Sequence, residues 1–319
     1  GNVLFQLAHY TQDKYHTPWG QALNFDGSWN DEVRRYFLQT VWQWLTEYHF
    51  DGLRLDAIQT IFDTSPFPFL EELSRIKKAA EEETGRALTL IAETDANDPR
   101  VLSPFEQGGI AMDAHWNDDL HHAIHAYLTG EQDGYYLDFG NLGQLAKIYR
   151  NGVCYDGDYS VYHKASRGRS YEGVDARRLV VSSQNHDQIG NRMYGRRLSQ
   201  LVDFEKLKLA AACIFLSPFT PFLFMGEELA TEQPFLYFVD HHDPDLIKAV
   251  QEGRKREFQA FAWKGEPPDP ASMETFESCV LKNKNPEPGS KCGVMTAYYK
   301  RLIGLSKQLR GRYLLHSNG

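Results

Sequence analysis

Residues 50–59 read FDGLRLDAIQ, an Asp-Gly turn followed by a short apolar strand that carries Arg54 and Asp56. Side chains alternate across a strand, so Arg54 and Asp56 share one side while Leu53 and Leu55 share the other. A cation and an anion two residues apart on a leucine-rich strand form either a structural ion pair or the floor of a site. The surrounding elements bear on that choice. Upstream, DEVRRYFLQTVWQWLTEY (31–48) sets Val33, Phe37, Val41, Leu45 and Tyr48 at steps of three and four, which predicts a helix with one apolar face. Downstream a second helix is expected over 68–83, and ALTLIAET (87–94) reads as a fully buried strand. GIAMDAHW (109–116) reads as a short strand and NDDLHHAIHAYLTG (117–130) as a helix closed by Gly130. Beyond a loop-rich insertion at 131–172 come the strand RLVVSSQNHD (178–187), a helix over 203–216 and the short strand PFLFMGEE (221–228).

Buried strands alternating with helices predict a parallel sheet, because parallel neighbours need crossover connections. Each of the five strands ends in polar residues: Asp56, Glu93, His115 with Asn117, His186 with Asp187, and Glu227 with Glu228. That edge is where parallel α/β sheets carry their active sites. Five strands do not close a barrel of eight. The opening GNVLFQLAHYTQDKYHTPWG is expected to be irregular, and the polar, proline-rich segment 229–289 to run over the surface. A last helix over 295–309 would carry Tyr298, Leu302 and Leu305 on one face.

The chain has 319 residues, 42% of them apolar, enough for one large barrel or two ordinary domains. Its 34 basic against 43 acidic residues give a net charge of -9, with no basic run, so neither nucleic acid nor an anionic membrane is expected as a partner. A neutral ligand fits better. The 17 Tyr and 6 Trp suit core filling or stacking on sugar faces. Four cysteines without a C-x-x-C pair indicate neither a metal site nor a disulfide framework, and the absence of an Asn-x-Ser/Thr sequon favours the cytoplasm. LAAACIFLSPFTPFLFMG (209–226) is uncharged over the length of a membrane span, but Pro218 and Pro221 break it into a buried helix, a turn and a strand. The start at Gly1, without a signal-peptide pattern, is expected to be a cut end.

Three acids at strand ends stand out: Asp56, Glu93 and Asp187. Glycoside hydrolysis needs two carboxyl groups flanking one bond, one to attack or activate water and one to protonate the departing oxygen. Arg54 favours the charged form of Asp56, which suits a nucleophile. Desolvation at the end of LTLIA favours the protonated form of Glu93, which suits an acid that then serves as base. Against this, a lone acid at a strand end often caps the next helix, and Arg54 with Asp56 could be a buried ion pair. His121 and His125, at i and i+4, could ligate zinc, but H-E-x-x-H is not formed and no third ligand is placed. No metal or cofactor is therefore expected.

DGLRLDA (51–57), IAET (91–94) and QNHDQIGN (184–191) resemble three short motifs of the α-amylase superfamily of retaining (β/α)8 glycosidases, on its fourth, fifth and seventh strands. TPWGQALNFDG (17–27), IAETDANDPRV (91–101), DAHWNDDLHHAIHAYLTGE (113–131) and PFLFMGEE narrow the likeness to the maltooligosyltrehalose trehalohydrolases, which cut the α-1,4 bond next to the trehalose end of maltooligosyl trehalose and release trehalose. Glycogen branching enzymes share the first of these stretches and DGLRLDA, but not WNDDLHH. The resemblance implies a TIM barrel, present here as strands four to eight with their helices over 1–319. It implies Asp56 as nucleophile, Glu93 as proton donor and Asp187 as the acid that steadies the oxocarbenium-like transition state, with Arg54 and His186 beside them. The implied substrate contacts are Arg54, Gln59, Trp116, Asn117, Asp118, Asp119, His121, His122, His186, Gln188, Asn191 and Arg192, toward maltooligosyl trehalose or a related α-glucan.

Two departures matter. The family usually has His where this chain has Gln59, an amide that donates and accepts but does not titrate. The family's first motif, Asp...Asn-His on the third strand, is not in the chain, nor are strands one to three or the N-terminal and C-terminal sandwiches. The chain is thus expected to be a fragment of a longer enzyme, inactive alone, whose missing barrel half lies in the same or another chain. The competing expectations are a branching or transfer enzyme on α-glucans and a non-catalytic α-glucan-binding fragment.

Overall fold

The computed structural model describes residues 9–259, 267–282, 286–309, 311 and 315. The expected irregular start over 1–20 is corrected where it is described, since β1 (Thr11–Thr17) and β2 (Gly20–Leu23) form an antiparallel hairpin; residues 1–8 lie outside the described residues. Helix α1 (Asn30–Thr46) follows and buries Val33, Leu38, Val41 and Leu45. Arg34 lies on that buried face because its guanidinium is saturated: it donates to the Phe25 and Phe67 carbonyls and pairs with Asp63 at 2.8 Å and Glu72 at 2.9 Å. Tyr48, expected on the apolar face, is exposed beyond the helix end.

The expected parallel sheet is present. Strands β3 (Gly52–Leu55), β4 (Thr89–Glu93) and β5 (Ala114–Trp116) stand side by side in chain order. Gly52 starts the first of them because a Cβ there would lie 2.4 Å from the Thr89 carbonyl oxygen of its neighbour. Register pairs Arg54 with Ile91 and Ala92 with His115, so the C-terminal ends come level. Helix α2 (Phe69–Thr84) makes the crossover between β3 and β4. Helix α3 (Asp118–Thr129) follows β5 and stops at Gly130, whose φ of 78° ends it in the left-handed conformation.

The insertion 131–172 is more ordered than its composition suggests. It holds α4 (Leu142–Asn151), opened by a reciprocal Asn141/Gln144 cap, and an antiparallel hairpin of β6 (Asp156–Ser160) and β7 (Ala165–Gly168). Strand β8 (Leu179–Val181) then joins the parallel sheet beside β5. It ends six residues earlier than expected, because the Asn185 side chain accepts the Asp187 N–H and turns the chain into helix α5 (His186–Gly190). After α6 (Leu198–Leu201) and α7 (Phe204–Phe215), the last sheet strand, β9, is only Thr220–Pro221. The uncharged run of 209–226 is thereby divided between a 12-residue helix, a turn and this strand. Among the described residues no helix is long and apolar enough to cross a membrane.

The segment 229–289 carries α8 (Pro244–Gln259) and α9 (Met273–Ser278). Helix α10 (Lys291–Leu309) buries Met295, Tyr299, Leu302 and Ser306, a face one residue out of phase with the expected Tyr298 and Leu305. Between sheet and helices Leu45, Leu90, Ala92, Leu120, Ile148, Leu179 and Val181 are fully enclosed. At roughly 1.5–3 kcal/mol for each large aliphatic side chain, this core fixes where the strand ends stand.

Candidate active site

Arg54 points from β3 into the space above the strand ends and meets three carboxylates, from just past β3, from the end of β4 and from the start of α5. One guanidinium nitrogen, Nη1, donates to Asp56. The other, Nη2, lies 3.6 Å from Glu93 Oε1 and 3.9 Å from Asp187 Oδ2. The guanidinium rests over the Trp116 ring, 4.9 Å from its centre, so one cation links the ends of β3, β4 and β5 with the start of α5. Asp56 and Asp187 stand open to solvent, 78% and 46% exposed, whereas Glu93 is sheltered at 19%. Ala57, next to Asp56, is in the left-handed region at φ 44° and donates its N–H to Glu93 Oε2. A non-glycine residue there is strained, and the strain turns the chain sharply after Asp56.

Burial raises Glu93 above the usual carboxylate range, and the negative charges of Asp56 and Asp187 add to that. The Ala57 N–H and Arg54 oppose it without reversing it. The direction is the one its apolar strand suggested. Asp118 is pushed further, to about 8, by burial and by the charges of Glu93, Asp187 and Asp119, and its Oδ1 has no hydrogen-bond partner. His186 Nε2 sits 3.4 Å from Asp187 Oδ1.

Beside the acids lies a hollow of about 300 Å³. Of the expected site residues, Gln59, Glu93, Asp118, Asp119, His122, Asp187, Gln188 and Asn191 line it, while Arg54, Asp56 and His186 stand outside its lining. Gln188 is buried with its Oε1 unpaired. Sequence reasoning missed Asp95 and Asn97, just past β4, and a wall of Tyr135, Phe139, Tyr155, Tyr162 and His163 from the insertion. The signal available was the density of tyrosines in 131–172. Asp138 holds the outer part of that wall: its carboxylate accepts from the Tyr155 and Ser160 hydroxyls and from the Val161 and Tyr162 N–H groups. Asp119 ties the wall to the sheet, its Oδ2 accepting from Asn97 and from the Cys154 and Tyr155 N–H groups.

Other expected contacts stand behind this surface. Trp116 is buried beneath Arg54, and Asn117 is the N-cap of α3, also donating to the Gly152 carbonyl. His121 has both ring nitrogens engaged, by the Ser183 carbonyl at 2.8 Å and the Tyr136 hydroxyl at 2.9 Å. His125 is hydrogen-bonded to Glu131 and stacked on Tyr136, so the two histidines that spacing could offer to a metal serve packing. His122 faces the hollow among Tyr135, Tyr136 and Phe139, and burial lowers it to about 3, leaving a neutral ring. Arg192 does not line the hollow; it grips both oxygens of Glu131 at 2.7 and 2.8 Å.

The sequence matches the family described as alpha amylase, catalytic domain, over residues 22–267. A protein named malto-oligosyltrehalose trehalohydrolase from Saccharolobus solfataricus is 44% identical over 308 residues, 97% of this chain and 52% of its own. One of the same name from Rhizobium sp. is 43% identical over 96% of this chain and 52% of its own. The chain thus spans about half the length of the curated relatives it matches. A 1.4 Å crystal structure of a candidate alpha amylase from Salmonella typhimurium superimposes with a TM-score of 0.87 at 38% identity, covering 97% of this chain and 52% of that one.

Proposed function

We propose, from the premise that this chain belongs to the α-amylase catalytic-domain family, that it provides the acids for hydrolysis of the α-1,4 bond next to the trehalose end of maltooligosyl trehalose. The observation that carries the reading is the single guanidinium of Arg54 set among Asp56, Glu93 and Asp187. The names of the relatives support the substrate, and the aromatic wall beside the acids supports a ligand with flat apolar faces and a hydroxylated rim.

In this reading Asp56 attacks the anomeric carbon as the bond to the glycosidic oxygen breaks, and Glu93 gives its proton to that oxygen. The glucosyl unit is then held by an ester bond to Asp56. Glu93, now a carboxylate, takes a proton from water; the water oxygen bonds to the anomeric carbon and Asp56 departs, with net retention. Sheltering from solvent favours the protonated form of Glu93 that the first step needs. Arg54 keeps the carboxylates close together, and Asp187 supports the positive charge that develops on the sugar. Asp118, neutral up to about pH 8, offers a hydroxyl donor, and Gln188 an unpaired acceptor. Gln59 takes the place of a titrating histidine, so its contact with sugar does not change with pH.

The five parallel strands are, in the same reading, part of an eight-stranded barrel completed by further residues of the same or another polypeptide. The test is to incubate the chain, alone and together with the polypeptide that completes the barrel, with maltooligosyl trehalose and to follow products by proton NMR. Release of trehalose and of an α-configured maltooligosaccharide by the complete barrel only is expected. New α-1,6 branches would refute the substrate assignment, a β-configured product the retaining mechanism, and full turnover by the chain alone the need for more strands.

A further inference from the structure

Asn191 and Arg192 are adjacent, yet the structure uses them in opposite ways. Arg192 is taken up by Glu131, while Asn191 lines the hollow and is met from outside by Arg254 of α8. Arg254 Nη1 donates to Asn191 Oδ1 at 3.1 Å, and Nη2 donates to the Gly190 carbonyl at 2.8 Å. Its guanidinium also lies over the Tyr237 ring, 5.0 Å from the centre. A planar fork that grips a side-chain amide, the preceding carbonyl and an aromatic face leaves the amide little freedom. An amide oxygen held by a guanidinium also fixes which way the amide faces: the NH2 group is left for the side away from Arg254, and Asn191 is one of the residues that line the hollow.

The bracing extends along the same loop. Gly195, at φ 57°, lies so near Phe235 that a Cβ would come within 2.8–2.9 Å of its backbone, and the Gly195 carbonyl accepts the Phe235 N–H. Arg197 donates to the Gln233 and Met225 carbonyls, and Ser199 to that of Thr231. Segment 225–259 therefore clasps the loop that begins with Asp187. Arg254 is the member of this clasp whose side chain reaches a residue lining the hollow.

We propose that Arg254 is a positioning residue: it turns the Asn191 amide so that its NH2 donates to a hydroxyl oxygen of the sugar seated in the hollow. This rests on the α-glucan reading of the site. It assigns to α8, which carries none of the three acids, a part in sugar affinity and none in bond cleavage.

The decisive variant is Asn191→Asp. It preserves the acceptor for Arg254 but replaces the donor toward the hollow by an acceptor. Affinities for maltooligosyl trehalose are measured by titration calorimetry on the complete barrel carrying Asp56→Asn, so that the ligand survives. Asn191→Asp and Arg254→Ala are each expected to weaken binding about 3- to 10-fold, the scale of one net hydrogen bond. The double variant Asn191→Ala with Arg254→Ala should bind no more weakly than Asn191→Ala alone, and Arg254→Lys, a point donor in place of a fork, should recover part of the loss. In the enzyme retaining Asp56, Arg254→Ala should raise KM and leave kcat within about twofold. Unchanged affinity in Asn191→Asp, additive losses in the double variant, or a fall in kcat with KM unchanged would each overturn the proposal. A parent that binds no sugar would instead overturn the functional reading, a result seen before any of these variants is made.

Discussion

Glu227→Gln tests a buried acid that the chemistry does not use. Glu227 is 4% exposed at the end of the loop after β9. Its carboxyl accepts from the Ser183 hydroxyl, the Gln184 amide and the Tyr299 hydroxyl, each at 3.3 Å. Ser183 and Gln184 lead directly into Asn185, His186 and Asp187, so this carboxyl supports the loop that carries the third acid of the site. Burial raises Glu227 from 4.5 to about 8, the hydrogen bonds offsetting only part of the effect. A group whose folded-state pKa is raised stabilises the fold fully below its unfolded value and loses that contribution as pH rises toward the folded value. At ~1.4 kcal/mol per tenfold change in proton affinity, the interval from 4.5 to about 8 sets a ceiling of ~5 kcal/mol on the loss. Glutamine has nearly the same shape and no proton to lose. Thermal unfolding followed by circular dichroism should give similar Tm values for the two proteins at pH 4. The variant should gain steadily between pH 4.5 and 8, reaching an advantage of roughly 5–10 °C at about 2 °C per kcal/mol for a chain of this size. Parallel Tm curves across that interval would refute the reasoning, since they would mean that Glu227 binds its proton no more tightly in the fold than out of it.

Other outcomes follow from the same geometry. Glu93→Gln in the complete barrel should lower kcat about 10²- to 10⁴-fold, and Asp56→Asn should abolish turnover, both without loss of folded structure by circular dichroism; a large fall in Tm for Asp56→Asn would assign Arg54 and Asp56 to structure instead. Arg54 holds Glu93 down against burial, so Arg54→Met should let Glu93 rise further and move the alkaline limb of kcat/KM to higher pH; an unmoved or acid-shifted limb would contradict this. Glu131→Gln removes the carboxylate shared by Arg192 and His125, whose three hydrogen bonds hold Glu131 below the usual range despite its burial. Because that carboxylate is 33% exposed, the loss should be about 1–3 kcal/mol by chemical denaturation, less than for a fully buried pair.

What the sequence disclosed and what it withheld divide along the range of the interactions. Helix α1, strands β3 and β4 and helix α3 were legible because burial imprints a period of three to four on one kind of element and an unbroken apolar run on the other. The strand-end acids were legible for the same reason, since each breaks such a run at its C-terminal end. Helix α8 was legible only as part of a polar surface segment, because most of PDLIKAVQEGRKREFQ is polar or charged, and nothing in that pattern marked Arg254 as reaching the hollow's lining. Strand β8 was read too long because the QNH tripeptide looks like a continued strand until Asn185 is seen capping α5. The tyrosines of the insertion were noticed only as composition, because their place against the acids depends on Asp119 bonding to Cys154 and Tyr155, 35 and 36 residues away. Arg192 illustrates the converse error, in which a motif position expected to face sugar is claimed by an acid 61 residues earlier.

The hollow is assembled from two sources, and that separation shapes how such a protein can be redesigned. Its acidic floor comes from Glu93 and from residues that follow the strand ends held by the core, while its aromatic side comes from one contiguous stretch, 131–172, tied to the sheet through Asp119 and braced within itself by Asp138. A designer can therefore vary the ring-bearing positions Tyr135, Phe139, Tyr155, Tyr162 and His163, keeping Glu131 and Asp138, and change which guests fit while the acids beside the strand ends stay where the core holds them.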